Sequence, residues 1–377
     1  MPTTTARGAR LLLTIGMAVV LTACTRPSPP SQPPPPTGAA APTTTAATPL
    51  ATPLAPALAP QARAGRGEVV ITLFHETHMH GALLGQDQQS TAGPVPADGR
   101  TFANYAGVLD QQRRRLPPKS SLFVGNGDDL SDQLELPAVL GGGTVHTGSR
   151  HVLEAFAAAG MDADTYGYDM DQYLPDRTDH LRELVARSRF VWVSANVREG
   201  SHPSQALAAE QGARLWVLKQ VAGVQVGITG VVSPDFVLGD GAHTARLAPT
   251  VTLLDPVTAL REVVPQMRAA GAQVVVVLSH LFFEQMEQVA RQVQGVNAIL
   301  GSHHGPPTAY LTQPEVIRGT IISKPGHDMA ALGQLDLVIR RSDGRVVRFG
   351  FQRHQVAPNG PSSPAVKAIL DRYLAAR

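Results

Sequence analysis

Val274–Gly305 reads VVVVLSHLFFEQMEQVARQVQGVNAILGSHHG. Val274 to Leu278 is an apolar, strand-like run that stops at Ser279-His280. Phe283 to Val293 is helix-like. Val296 to Leu300 is a second strand-like run, and it stops at Gly301-Ser302-His303-His304-Gly305. Together they read as one β-α-β unit, and strands joined by helices argue parallel pairing. In an α/β sheet the loops after the carboxyl ends of the strands share one rim, where ligand sites gather. Two more runs end the same way. Val69–Phe74 runs into His75 and then His78-Met79-His80-Gly81, and Ser121–Val124 runs into Gly125-Asn126-Gly127-Asp128-Asp129. Imidazole and carboxylate groups gathered on one rim are the usual donors for a zinc-, manganese- or iron-class ion. The pattern points to a metal-dependent hydrolase.

Outward from these runs, strand-like and helix-like stretches alternate from Gly67 onward. Phe102–Arg114 reads as a helix. His151–Ala159 reads as another, stopping at Gly160. Ala163–Tyr166 and Phe190–Ala195 are strand-like. Trp216–Val221 and Gln225–Val232 read as a hairpin turning at Ala222-Gly223. Pro256–Ala270 is a helix that Pro265 should kink or shorten. Thr320–Ser323 is a short strand. Gln334–Arg340 and Arg345–Phe351 form a hairpin turning at Ser342-Asp343-Gly344. Ser363-Pro364 is a good cap and first-turn pair for a last helix to Ala376. The hairpins argue antiparallel additions to a parallel core, so the expected domain is mixed α/β.

The chain has 377 residues and a formal net charge of +2. No basic run exceeds Arg113-Arg114-Arg115, which reads as the solvated end of a helix, so nothing argues for a nucleic-acid polymer as partner. Arg7 and Arg10 precede the apolar stretch Leu11–Leu21, which ends in Leu21-Thr22-Ala23-Cys24. That is the layout of a secretory signal over 1–24, and its ending resembles a bacterial lipobox, with Cys24 as the lipidated residue. The expectation is an exported protein anchored to the cell envelope by lipid on Cys24. Cys24 is the single cysteine, so the metal must be held by nitrogen and oxygen. Residues 25–67 are rich in Pro, Ala and Thr and read as a disordered tether, which at full stretch would reach on the order of 100 Å. Residues 68–377 are the expected catalytic domain, ending in the C-terminal helix.

The loops, in this order, resemble those of the calcineurin-like metallophosphoesterases, specifically the catalytic domain of the secreted 5′-nucleotidase / 2′,3′-cyclic-nucleotide phosphodiesterase family. Glu76-Thr77-His78-Met79-His80-Gly81 matches that family's Thr-Asn-Asp-x-His-Gly loop, and Gly127-Asp128 its Gly-Asp loop. Ser194-Ala195-Asn196-Val197, Gly227–Pro234, Leu278–Leu281, Gly301-Ser302-His303 and Lys324–Leu337 continue the match. The resemblance implies a four-layer α/β/β/α sandwich with mixed sheets. It also implies two divalent ions, zinc or manganese, bridged by Asp128. His80 would ligate one ion, and His280 and His303 the other. Such a pair holds a phosphate and its leaving oxygen while acidifying an attacking water. The implied substrates are nucleotides or other small phosphate esters.

Three of the family's ligand positions differ. His78 stands where the first aspartate would be. Gly167-Tyr168-Asp169-Met170 replaces Gly-Asn-His-Glu, so Tyr168 and Asp169 become the catalytic candidates. Gly305 falls at the last histidine position, with His304 beside it. Replacing carboxylate by imidazole favours a softer ion such as zinc over magnesium. The family's usual second domain, which supplies a nucleobase pocket, would follow the last helix. Without it, substrate would be bound by loops of this domain or with an unidentified partner protein.

Two other readings fit the residues. One is a non-catalytic surface lipoprotein binding metal or ligand on an altered site. The other is a zinc amidohydrolase or PHP-type hydrolase using His78-x-His80, although the two hairpins suit such a barrel poorly. Individually, His75, His146 and His151 read as ordinary structural histidines. Asp129 and Asp132 read as supporting or solvated residues, and His327 as a loop residue or one facing the substrate.

Overall fold

The computed structural model describes residues 62–76, 79, 83, 89–90, 93–94, 100–130, 145–167, 178–235, 248–301, 310–326 and 329–375. Cys24, residues 25–61 of the tether, His78, His80, Tyr168, Asp169, His303, His304 and His327 lie outside them.

Twelve strands form two six-stranded sheets. In chain order they are β1 (Glu68–His75), β2 (Ser121–Val124), β3 (Ala163–Thr165), β4 (Val191–Val193), β5 (Trp216–Val221), β6 (Val224–Val232), β7 (Val274–His280), β8 (Ala298–Leu300), β9 (Glu315–Ile317), β10 (Thr320–Ser323), β11 (Ala331–Arg340) and β12 (Arg345–Gln355). The first sheet runs β12-β11-β1-β2-β3-β4 and the second β9-β10-β8-β7-β6-β5. Each has a parallel centre, β1 to β4 in one and β6-β7-β8-β10 in the other, with antiparallel hairpin strands at the margins.

The near-continuous apolar runs follow from where the strands lie. Side chains alternate between faces, and both faces are covered. Ile71, Leu73, Val124, Val274, Val276, Leu278 and Leu300 pack between the sheets. On the outer face of the second sheet, Val275, Val277 and Ile299 meet Leu260, Val263 and Met267 of α4 (Pro256–Ala269) and Met286 and Val289 of α5 (Phe283–Gln292). On the outer face of the first, Phe74, Phe123 and Trp192 meet four helices: α1 (Phe102–Arg113), α2 (Val145–Ala158), α3 (Thr178–Arg187) and α6 (Pro364–Ala375). The layers are α/β/β/α, so an eightfold barrel, and with it the amidohydrolase or PHP-type reading, is excluded.

Several expectations need correction. α4 is not shortened at Pro265 but runs on to Ala269. The proline sits on the exposed side of the helix, where water can satisfy the carbonyl that its missing N–H leaves unpaired. α2 begins at Val145, six residues before the expected start at His151. α3 was not anticipated: Leu181, Leu184 and Val185 form its buried stripe among charged neighbours. Arg113 is not solvated. Its guanidinium donates to the carbonyls of Ala159 and Gly160 at 2.6 and 2.9 Å, capping the end of α2.

Candidate active site at the strand ends

Asp128 and His280 are the two expected ligands among the described residues. The structure brings them together across the sheets. His280 ends β7, is fully buried, and places Nε2 4.0 Å from Asp128 Oδ2. Asp128 follows β2 and takes a left-handed backbone with φ of 61°, directly after Gly127 at 83°. Aspartate tolerates that region better than most residues. A buried, strained carboxylate facing a buried imidazole is the arrangement expected of a functional loop.

The other strand-end loops are tied to the same place. Gly167, which directly precedes Tyr168 and Asp169, lies so close to Asp128 that a Cβ there would stand 1.9 Å from the Asp128 nitrogen. Met79, between His78 and His80, donates its backbone N–H to Asp129 Oδ1 at 3.1 Å. Gly301, two residues before His303, packs on Asn126, whose Oδ1 would be 2.8 Å from an added Cβ. The loops after β1, β2, β3, β7 and β8 therefore converge on Asp128. Where the six remaining site candidates (His78, His80, Tyr168, Asp169, His303 and His304) point is outside the described residues.

Behind Asp128 lies a group of which the sequence marked only Asp129, as a supporting or solvated residue. Glu76, Asp129 and Asp164 are all at most 1% exposed. Glu76 Oε1 accepts from the Asn126 backbone at 3.2 Å. Asp164 Oδ1 accepts from Gly127 and Thr165 at 3.2 and 2.7 Å. Asp129 hydrogen-bonds to both of the other carboxyls. Their remaining oxygens, Glu76 Oε2, Asp129 Oδ2 and Asp164 Oδ2, are buried without a hydrogen-bond partner among the described residues, so burial favours the protonated carboxyls here. Burial first, and the neighbouring acids second, push Asp129 and Asp164 far above the ordinary carboxylate range. Burial also pushes Glu76 up to about 8. Asp129 is thus a buried loop anchor, and its solvated reading fails. The available signal was Asp164, an acidic residue in the middle of an otherwise strand-like stretch.

His75 is a structural residue in this geometry. It ends β1 fully buried, with Nε2 3.0 Å from Ser323 Oγ at the end of β10, joining the two sheets. Burial holds it neutral, with its pKa lowered to about 3. His151 lies half-buried on α2, away from the strand ends. Asn196 also ties the scaffold, bonding Val232 and Leu254 across the β4 and β6 loops. A groove of about 560 Å³ between α2 and α6, lined by Leu153, Ile369, Arg187 and Arg372, includes none of the site candidates.

The donors suit a divalent cation by chemistry: one carboxylate oxygen and one imidazole nitrogen, both buried. Among the described residues no three His, Cys, Asp or Glu side chains converge tightly enough to hold one. A complete set needs the histidines outside the described residues.

No family model matches this chain. In sequence it is similar to the trifunctional nucleotide phosphoesterase YfkN of Bacillus subtilis, 24% identical over 313 residues. That match spans 74% of this chain and 20% of YfkN. It is also 26% identical over 255 residues to the 2′,3′-cyclic-nucleotide 2′-phosphodiesterase/3′-nucleotidase of Salmonella typhimurium, spanning 60% of this chain and 37% of that protein. In structure it superimposes on the calcineurin-like phosphoesterase YfkN with a TM-score of 0.63 at 21% identity, covering 82% of this chain and 98% of that one. Against the 5′-nucleotidase precursor of Thermus thermophilus the TM-score is 0.62 at 22% identity, covering 82% and 59%. The chain has the fold of the calcineurin-like phosphoesterases. Its curated sequence relatives are nucleotide phosphoesterases, of whose length it spans well under half.

Proposed function

We propose that this chain is a metal-dependent phosphoesterase, 5′-nucleotidase-like, that hydrolyses nucleotides or other small phosphate esters outside the cytoplasm. The observation that carries this reading is the convergence of five strand-end loops on the buried Asp128–His280 pair. His78, His80, Asp128, His280, His303 and His304 are the residues that would hold two divalent ions, zinc or manganese. Such ions would neutralise phosphate charge and acidify the attacking water.

The chain's own residues supply the rest. Asp129 holds the His78–His80 loop through Met79. Gly167, which precedes Tyr168-Asp169 in the chain, packs directly on the Asp128 backbone. Asp169 would deliver a proton to the departing oxygen, and Tyr168 would orient the ester. The signal-like segment ending at Cys24 and the tether over 25–67 would place this domain on the envelope surface by a lipid anchor. Among the described residues no helix is long and apolar enough to cross a membrane.

The test is metal content and turnover on the full chain, with nitrophenyl phosphate, nucleotides and cyclic nucleotides, in Zn²⁺, Mn²⁺ or Mg²⁺. His280→Ala and Asp128→Asn should each lower kcat/KM by at least about 100-fold, while His202→Ala, at an exposed position, should not. Bound metal with no turnover would favour a non-catalytic binding protein. Absence of bound metal under every condition would overturn the enzyme reading.

A further inference from the structure

Tyr310 is an exposed aromatic residue, at 38%. It is not loose. The guanidinium carbon of Arg353 lies 3.7 Å from the centre of its ring, a stacking distance that covers one face. Arg353 is itself pinned, because its Nε donates to the carbonyl of Pro325. Arg353 thus covers one face of the Tyr310 ring.

Its position matters as much as its exposure. Leu311 donates its backbone N–H to the carbonyl of Lys324 at 2.8 Å, and Gly301 donates to that of Ser323 at 2.9 Å. Tyr310 therefore sits beside the carboxyl end of β10, one strand from the end of β8, where Gly301 packs on Asn126 of the Asp128 loop. At a strand spacing near 4.8 Å, the ring stands roughly 10–15 Å along the rim from Asp128. That is about the reach of a mononucleotide whose phosphate is at Asp128.

We propose that Tyr310, braced by Arg353, is the platform on which the nucleobase of a nucleotide substrate stacks, so that it selects esters carrying a planar heteroaromatic ring over simple phosphate esters. The proposal rests on the phosphoesterase reading of the Asp128–His280 site. Stacking on an aromatic side chain tolerates any base, because every base has a π-face. A ring already held by Arg353 loses little further freedom on binding.

The experiment compares adenosine 5′-monophosphate with glycerol phosphate on the full chain carrying Tyr310→Ala, Tyr310→Phe or no change. Tyr310→Ala should raise KM for the nucleotide by about tenfold, within the range base–aromatic stacking provides. It should leave glycerol phosphate within about twofold, and Tyr310→Phe should restore the nucleotide value. Saturation-transfer NMR with adenosine, needing no turnover, should show base protons saturated by wild type and not by Tyr310→Ala. Equal effects on both esters, or no effect on either, would overturn the proposal. If wild type hydrolyses neither ester, the phosphoesterase reading fails, and the NMR comparison still decides whether Tyr310 holds a base.

Discussion

Asp128 carries the strain of the site. Its left-handed backbone and the touching Gly167 form one packed unit, in which Gly167 has no room for a side chain. Gly167→Ala should therefore destabilise the protein by about 1–3 kcal/mol through overpacking, and should lower activity more than stability alone explains. Gly212→Ala is the control. Gly212 has a φ of 118° but no atom within 4 Å of an added Cβ. Its cost, about 1 kcal/mol, is backbone strain, and kcat should hold at temperatures where the variant is folded. Equal losses of activity in both variants would argue against the close packing at Asp128. At this scale the sequence pointed to two residues that the fold brings together, because His280 and Asp128 each stand at the end of an apolar run. It did not expose their partners. Glu76, Asp129 and Asp164 meet across separations of up to 88 positions, and nothing local marks a carboxyl that will be buried.

Secondary structure elements were read well where local chemistry sets their ends. α1 starts at Thr101, whose hydroxyl accepts from the Asn104 N–H at 3.3 Å while Asn104 Oδ1 accepts from the Thr101 N–H at 3.1 Å. Thr101→Ala should lower unfolding free energy by about 1 kcal/mol, read from denaturant melts, and leave KM unchanged. A loss confined to activity would contradict a purely local cap. The hairpin turn at Ala222-Gly223 was legible for a similar reason, since both residues take positive φ, 49° and 83°, as a tight two-residue hairpin requires. α3 was missed because its buried stripe is three residues wide and the rest of the helix is charged. Pro265 was over-read: a proline's effect depends on whether the freed carbonyl faces water, and burial is a tertiary property.

At the scale of the whole molecule, buried ionisable groups set the pH response. Between its ordinary value of 4.5 and its folded value of about 8, Glu76 keeps a proton that the unfolded chain releases. Stability is then lost as pH rises through that window, and Asp129 and Asp164 act in the same direction. His75 and His354, lowered by burial from 6.5 to about 3 and about 4, act oppositely. The unfolded chain binds protons that these histidines refuse when folded, so stability is lost as pH falls below 6.5. With chelator present, thermal stability should fall on both the acidic and the alkaline side. Glu76→Gln should flatten the alkaline side, and an unchanged alkaline limb would show that Glu76 is not protonated in the folded state.

The sequence by itself determined the order of the strands and helices apart from α3 and β9, the parallel β-α-β core and the rim where His280 and Asp128 stand. These follow from periodicity and chain ends within a few residues of one another. Only the tertiary structure decided which groups meet. The carboxyl trio behind Asp128, Arg113 on the end of α2 and Arg353 under Tyr310 join residues distant in the chain. The physical reason is that burial and charge pairing depend on distance in space, which local pattern does not encode.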